Sequence, residues 1–175
     1  MGRQMLNKSS LLSTIYLVLL FPSISYSQNF GIIFGYSTSN AIRAGGHLIH
    51  DNFLYRFCVS FESSDAKGKE VSEKKPNYGQ TIDGTGDYFT SYDLGLGYYI
   101  TPQITILGEI SFGQRKFFIN YNDNRFTDGG YHMIDKSESL FGFGLNAGYI
   151  FSSKLGILIG YNTIRELSFG MTFDF

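Results

Sequence analysis

The chain has a single cysteine, Cys58, and no tryptophan in its 175 residues. One cysteine cannot build an internal disulfide framework or a multi-cysteine metal site. After residue 28, no apolar run approaches the roughly 20 residues of a transmembrane helix. If the chain resides in a membrane, it must therefore cross as a closed β-barrel, the other structure that satisfies its backbone hydrogen bonds internally.

The amino terminus has the features of an export signal. Arg3 and Lys8 precede an apolar run over residues 11–21, which is too short to span a bilayer, and Pro22 follows that run. The small residues of Ser25-Tyr26-Ser27 then form a signal-peptidase site. We predict a signal peptide over residues 1–27 and one domain over residues 28–175, with a retained membrane anchor as the alternative.

Basic residues are too few for a nucleic-acid partner. The leader contains two basic and no acidic residues, so residues 28–175 hold 12 basic and 15 acidic residues, a net charge of −3. Nucleic-acid binding requires a basic surface. We therefore expect no nucleic-acid partner.

Strict alternation marks the end of the chain. Leu167, Phe169, Met171, Phe173 and Phe175 occupy every second position, and small or polar residues lie between them. This period of two indicates a β-strand with one apolar and one polar face. The same alternation recurs and predicts eight strands, at about 29–38, 42–49, 53–62, 87–100, 104–121, 137–151, 155–162 and 167–175.

The connections alternate in length. Residues 63–86 and 122–136 are polar, and we predict long loops there, whereas the connections after the second, fourth and sixth strands are tight. Outer-membrane barrels have short periplasmic turns and longer outer loops. We therefore predict an all-β fold, an eight-stranded antiparallel up-and-down transmembrane β-barrel. It would lie in the outer membrane of a Gram-negative bacterium, with both termini periplasmic.

Within the predicted strands, the charged residues occupy the same alternate positions as the glycines. They therefore lie on the face opposite to the large apolar side chains. An arginine facing lipid at the midplane costs about 2–4 kcal/mol, whereas charges inside a barrel can pair. This parity predicts an interior charge network of Arg43, Arg56, Glu62, Asp93, Glu109, Arg115 and Asp174. A soluble lipocalin-type barrel is the structural alternative.

The leader, the eight alternating strands and the terminal Phe175 resemble the small outer-membrane β-barrel family that includes OmpX, OmpW and the OmpA membrane domain. The glycine- and tyrosine-rich strands and the turn Tyr98-Tyr99-Ile100-Thr101-Pro102 are similar to the outer-membrane β-barrel domain proteins common in Bacteroidetes. The resemblance implies that the terminal strand is the signal read by the barrel-assembly machinery. That role would fall to Leu167, Phe169, Met171, Phe173 and Phe175.

Catalytic and metal-binding patterns are weak. His47 is predicted to point inward, toward Arg43 or Asp174, and His50 and His132 to be solvated in connections. Asp123, Asp128 and Glu138 lack the spacing of a calcium loop. We expect no catalytic, metal or cofactor site, and we expect Cys58 to fill space in the interior.

The sequence favours a non-catalytic, monomeric barrel with a structural, adhesive or surface-binding role. Its partners would be outer-membrane lipids, the barrel-assembly machinery, and an extracellular protein or glycan bound through residues 63–86 and 122–136. A projecting sheet formed by residues near 116–121 and 137–140 could add strands from a partner. The alternatives are a narrow channel for small solutes and, less favoured, a lipid A-modifying enzyme.

Overall fold

Nine strands form one sheet in the computed structural model, which describes residues 29–73, 81–126 and 129–175. The predicted signal peptide lies outside the described residues and stays a prediction. The strands are β1 Asn29–Ser37, β2 Ala41–His50, β3 Phe53–Glu62, β4 Lys69–Val71, β5 Thr81–Tyr99, β6 Ile104–Asn122, β7 Gly130–Ser152, β8 Leu155–Asn162 and β9 Glu166–Asp174. No helix among the described residues is long and apolar enough to cross a membrane.

Eight of these strands close a ring, and the predicted eight-stranded antiparallel barrel is confirmed. Each ring strand pairs antiparallel with its neighbours, β3 pairs directly with β5, and β9 pairs with both β1 and β8. The pairing of β7 with β8 completes the circle. Because the ring has no open edge, every backbone group at its middle has a strand partner.

The two ends of the barrel differ. At one end, here named the turn end, tight connections at 51–52, 100–103 and 153–154 lie beside both ends of the described chain. At the other, the projection end, β5, β6 and β7 continue past their neighbours. Phe61 pairs with Thr90 as the last residue of the β3–β5 ladder, and Asn162 with Gly144 as the last of the β7–β8 ladder.

The predicted loops at 63–86 and 122–136 need correction. Residues 81–86 belong to β5 and residues 130–136 to β7, and residues 69–71 form a ninth strand, β4, that pairs parallel with β7. These segments lie beyond the ring, where no filled lumen imposes alternation. They mix polar and apolar residues without strict alternation, so the strands they form, which pair through the backbone, are not predicted by a period of two.

Side chains alternate around the ring as the strand period requires. Outward side chains at mid-height are large, apolar and exposed, with Phe57 at 49%, Leu94 at 49% and Leu145 at 63%. Most inward side chains at mid-height are buried. Glycine on the inner wall makes room for them: a Cβ added to Gly144 would lie 2.6 Å from Glu109 Oε1 and 2.8 Å from Asn162 Nδ2.

The outward apolar band yields a prediction about stability. We expect Leu94→Arg, at mid-strand on the outer face, to lower the free energy of unfolding in phospholipid vesicles by about 2–4 kcal/mol. Ile82→Arg, on β5 beyond the ring, is the matched control and should change it by less than about 0.5 kcal/mol. Equilibrium urea unfolding measures both, and equal losses would contradict the lipid-facing assignment.

Candidate functional site in the barrel lumen

A carboxylate at the centre of the lumen collects donors from three strands and one loop. Glu109, on β6, accepts hydrogen bonds at Oε2 from Arg43 Nη2 at 2.6 Å and Arg56 Nη2 at 2.9 Å. Its Oε1 accepts one from Asn162 Nδ2 at 2.8 Å and another from Arg165 Nη2. Both oxygens are thus satisfied by side chains from β2, β3, β8 and the β8–β9 connection.

A second carboxylate extends this arrangement along β5. Asp93 Oδ1 accepts a hydrogen bond from Ser111 Oγ at 2.6 Å, and Oδ2 accepts one from Ser60 Oγ at 3.1 Å. Arg165 Nη1 forms an ion pair with Asp93 Oδ2, and Arg43 Nε lies 3.7 Å from the same oxygen. Arg43 and Arg165 therefore link the two carboxylates, and we name Arg43, Arg56, Arg165, Asp93 and Glu109 the central network.

The central network is almost sealed from solvent, since none of its five residues is more than 5% exposed. Buried charges must be paired and hydrogen-bonded to be tolerated, and removing one partner leaves an uncompensated charge in a low-dielectric region. Three guanidinium groups face two carboxylates, so the network carries one excess positive charge. Together with Asn162, the network joins five strands of the ring and the β8–β9 connection to one another across the lumen.

Arg165 does not follow from the sequence pattern. It lies in the connection between β8 and β9, where no strand alternation indicates which way a side chain points. The connection turns into the lumen: Asn162 Oδ1 accepts a hydrogen bond from Ile164 N at 2.9 Å, and Ile164 and Arg165 are buried. The sequence does contain one indication of it. The seven predicted interior charges are three basic and four acidic residues, which sum to −1, so one acidic residue lacked a basic partner.

The predicted interior charges separate into a centre and two ends. Arg43, Arg56, Asp93 and Glu109 meet in the central network, whereas Arg115, Glu62 and Asp174 do not. Arg115 Nε lies 3.2 Å from Asp87 Oδ2 at the partly exposed projection end. Glu62 Oε2 there accepts a hydrogen bond from Phe89 N at 3.0 Å. At the turn end, Asp174 Oδ1 lies 2.7 Å from His47 Nε2.

Side chains fill most of the described lumen. At the projection end, Phe89 packs with Ala41, Ile164 and the partly buried Leu140. The central network and the buried Cys58 occupy the middle. Toward the turn end follow Leu107, Leu54 and Ile33, all buried. Such packing is typical of eight-stranded barrels, whose interiors are just wide enough for side chains.

The terminal-strand residues lie on the outer wall. Leu167, Phe169 and Met171 are exposed on β9, and Phe173 is half-buried. Phe175 follows the strand; its backbone N donates to Phe30 O at 3.0 Å and its ring stacks on that of Phe30, with centroids 6.2 Å apart. Their role as an assembly signal stays a prediction.

The remaining candidates do not form a metal site in the described ranges, where no group of three or more His, Cys, Asp or Glu side chains converges. Asp123 pairs with Arg125, and Glu138 pairs with Lys136. Asp128 lies outside the described residues. His132 Nδ1 hydrogen-bonds Lys67 O at 2.8 Å, and His50 is exposed beside Asp51.

No protein-family model and no curated protein matches the chain. Solved structures with a similar fold include neisserial surface protein A, with 12% identity and a TM-score of 0.48 over 85% of this chain and 96% of that one. A major outer membrane protein from Thermus thermophilus has 12% identity and a TM-score of 0.47 over 86% and 100%. Ail of Yersinia pestis, solved in complex with the heparin analogue sucrose octasulfate, has 8% identity and a TM-score of 0.41 over 85% and 92%.

These TM-scores, all below 0.5, assign no function to this chain. Its function is therefore inferred from the side chains and strands of the barrel itself.

Loss of the Glu109 carboxylate should strongly destabilise the barrel. We expect Glu109→Gln to cost about 3–5 kcal/mol of unfolding free energy, because three buried guanidinium groups would then share one carboxylate. Glu138→Gln removes a carboxylate from an exposed ion pair, with side chains 62% and 42% exposed, and should cost less than about 1 kcal/mol. Urea unfolding in detergent micelles compares the two, and similar losses would refute a stabilising role for the network.

Proposed function

We propose that the protein is an integral outer-membrane barrel that holds a rigid sheet above the membrane for surface binding, without catalysis. The observation that carries this proposal is the extension of β5, β6 and β7 past the ring, where β4 joins them. We name this extension, formed by residues 81–89, 115–122, 130–138 and β4, the projecting sheet.

The height of the apolar exterior supports a position in the outer membrane. Outward side chains of β6 are Ile104, Ile106, Gly108, Ile110 and Phe112, and the large ones are exposed. At a strand tilt of about 40°, this stretch climbs about 20 Å, close to the ~25 Å apolar band of outer-membrane barrels. The next outward residues are Gln114 and Lys116, so the band ends where the projecting sheet begins.

The difference between the turn end and the projection end supports an orientation with the turn end and both termini in the periplasm. Short turns lie on the periplasmic side of outer-membrane barrels and the longer connections lie outside the cell. The projecting sheet would then extend from the cell surface. From Gln114 to Asn122, β6 would rise about a further 20 Å above the membrane at the same tilt.

Hydrogen bonds from the segment between β3 and β4 restrain the conformation of the projecting sheet. The segment crosses the sheet near Asn120, whose Oδ1 accepts a hydrogen bond from Lys67 N at 2.8 Å and whose Nδ2 donates to Asp65 O at 3.1 Å. Lys67 Nζ bonds Asp83 and Asn122, and the hydrogen bond from Lys67 lowers the pKa of the Asp83 carboxyl. A surface fixed in this way loses little conformational entropy when a partner binds.

The free edge of β5 is the part of the projecting sheet best suited to a partner. Between Thr81 and Asp87, β5 pairs with β6 on one side and has no strand partner on the other among the described residues. Ile82 there is 60% exposed. An unpaired strand edge can accept a further strand, so an extracellular protein could add one. A glycan partner would instead use the polar side chains of the connections.

The filled lumen favours binding over transport. Buried apolar side chains on both sides of the central network, together with the network itself, occupy most of the described interior. Membrane lipids would contact the outward band, and the barrel-assembly machinery would read β9 and Phe175. We propose a monomer, since the ring is complete within one chain.

The membrane location has a direct test. We expect the chain to fractionate with outer membranes and to migrate differently on gels before and after boiling, because a closed barrel resists detergent until heated. A matched sample with Leu94→Arg and Leu145→Arg should lose the heat-dependent shift. Recovery of unaltered chain in the soluble periplasmic fraction would reject the membrane proposal and favour a lipocalin-type barrel.

The binding role has a separate test in barrels held in lipid nanodiscs. Replacing residues 63–86 and 116–137 by short turns should abolish binding to a panel of immobilised extracellular proteins and sulfated polysaccharides, while heat-dependent migration persists. Within the intact chain, Ile82→Lys should weaken binding of a protein partner at the β5 edge. Ser137→Lys adds the same charge on β7 as its control. Equal binding by the shortened and full-length barrels would overturn the proposal.

A further inference from the structure

A small cavity lies in the lumen on the turn-end side of the central network. Its lining includes the polar side chains of Arg56, His47, Tyr99, Thr105 and Thr172, and the rest is apolar or glycine apart from Tyr149. No carboxylate lines it within the described part of the chain. It has room for about one water-sized species.

Arg56 presents unused donors at this cavity. The side chain is 3% exposed, and its Nη2 is bonded to Glu109 Oε2. Its Nε and Nη1 are buried and have no hydrogen-bond partner among the described residues. Buried donors on a charged group are costly when unpaired, so this side of the guanidinium requires an acceptor.

The surrounding charge favours an anionic acceptor over a neutral one. The central network holds one more guanidinium than carboxylate, and Arg56 is the member that faces the cavity. Asp174, at the same end of the lumen, is engaged by His47 Nε2 at 2.7 Å. Tyr99, Thr105 and Thr172 add hydroxyl groups that can donate to an anion.

We propose that this cavity binds a single monatomic anion of the halide class, held by Arg56 and the neighbouring hydroxyl groups. The anion balances the excess charge of the central network and supplies the acceptor that Arg56 lacks. The site is independent of the projecting sheet, so the binding proposal above can fail without affecting it. The bound halide would contribute to barrel stability as any ligand of the folded state does.

Halide-dependent stability tests the site in the whole mature barrel in detergent micelles. At constant ionic strength, chloride is exchanged for gluconate, which is too large for the cavity, and the urea midpoint is recorded. We expect the midpoint to rise saturably with chloride, and bromide to replace chloride. Arg56→Gln should raise the half-saturating chloride concentration at least about tenfold, as loss of a charge-assisted contact predicts.

Arg115→Gln is the matched control, because it removes an arginine from the partly exposed pair with Asp87, outside the cavity. It should leave the chloride response unchanged. Crystals of the unaltered barrel grown in bromide provide a readout that does not depend on any variant folding. An anomalous bromide peak beside Arg56 would support the site. Absence of that peak together with identical midpoints in chloride and gluconate would overturn the proposal and assign the cavity to water.

Discussion

A charged side chain in a narrow barrel surrounded by lipid has one acceptable direction, inward, and this constraint shapes the whole chain. Because strand side chains alternate, placing Glu109 in the lumen places Ile110 and Gly108 on the outside. A shift of one residue in β6 would turn Glu109 to the outside and Phe112 to the lumen. Electrostatics and the period of the strand therefore fix the register together.

Charges directed inward must also be paired, and the narrow lumen offers only other side chains as partners. Glycine on the inner wall leaves room for long arginines, as at Gly144 beside Glu109. Arg165 belongs to the β8–β9 connection and not to a strand, and its side chain extends into the same space to reach Glu109. The side chains of the interior thus link the strands of the ring, and the projecting sheet lies beyond its rim.

The ring of the barrel could be predicted from the sequence because its outward apolar and inward small or polar side chains alternate strictly. The inward placement of Arg43, Arg56, Asp93 and Glu109 follows from parity alone. The projecting sheet could not be predicted in the same way, since β4 and the tips of β5 and β7 mix polar and apolar residues without strict alternation and pair through the backbone. The inward position of Arg165 was not predicted, because residues in a turn do not alternate between two faces. Only the charge imbalance of the predicted interior indicated that a basic residue was missing.

The central claim, that even-numbered residues of β6 face lipid from Ile104 to Phe112 and odd-numbered ones face the lumen, can be measured directly. Nitroxide labels placed one at a time along residues 104–122, in a chain whose Cys58 is replaced by alanine, report collisions with oxygen dissolved in the bilayer. We expect oxygen accessibility to alternate along β6 with a period of two, with maxima at even positions. Beyond residue 113, the labels should instead be accessible from water. Maxima at odd positions, or uniform accessibility along β6, would contradict it.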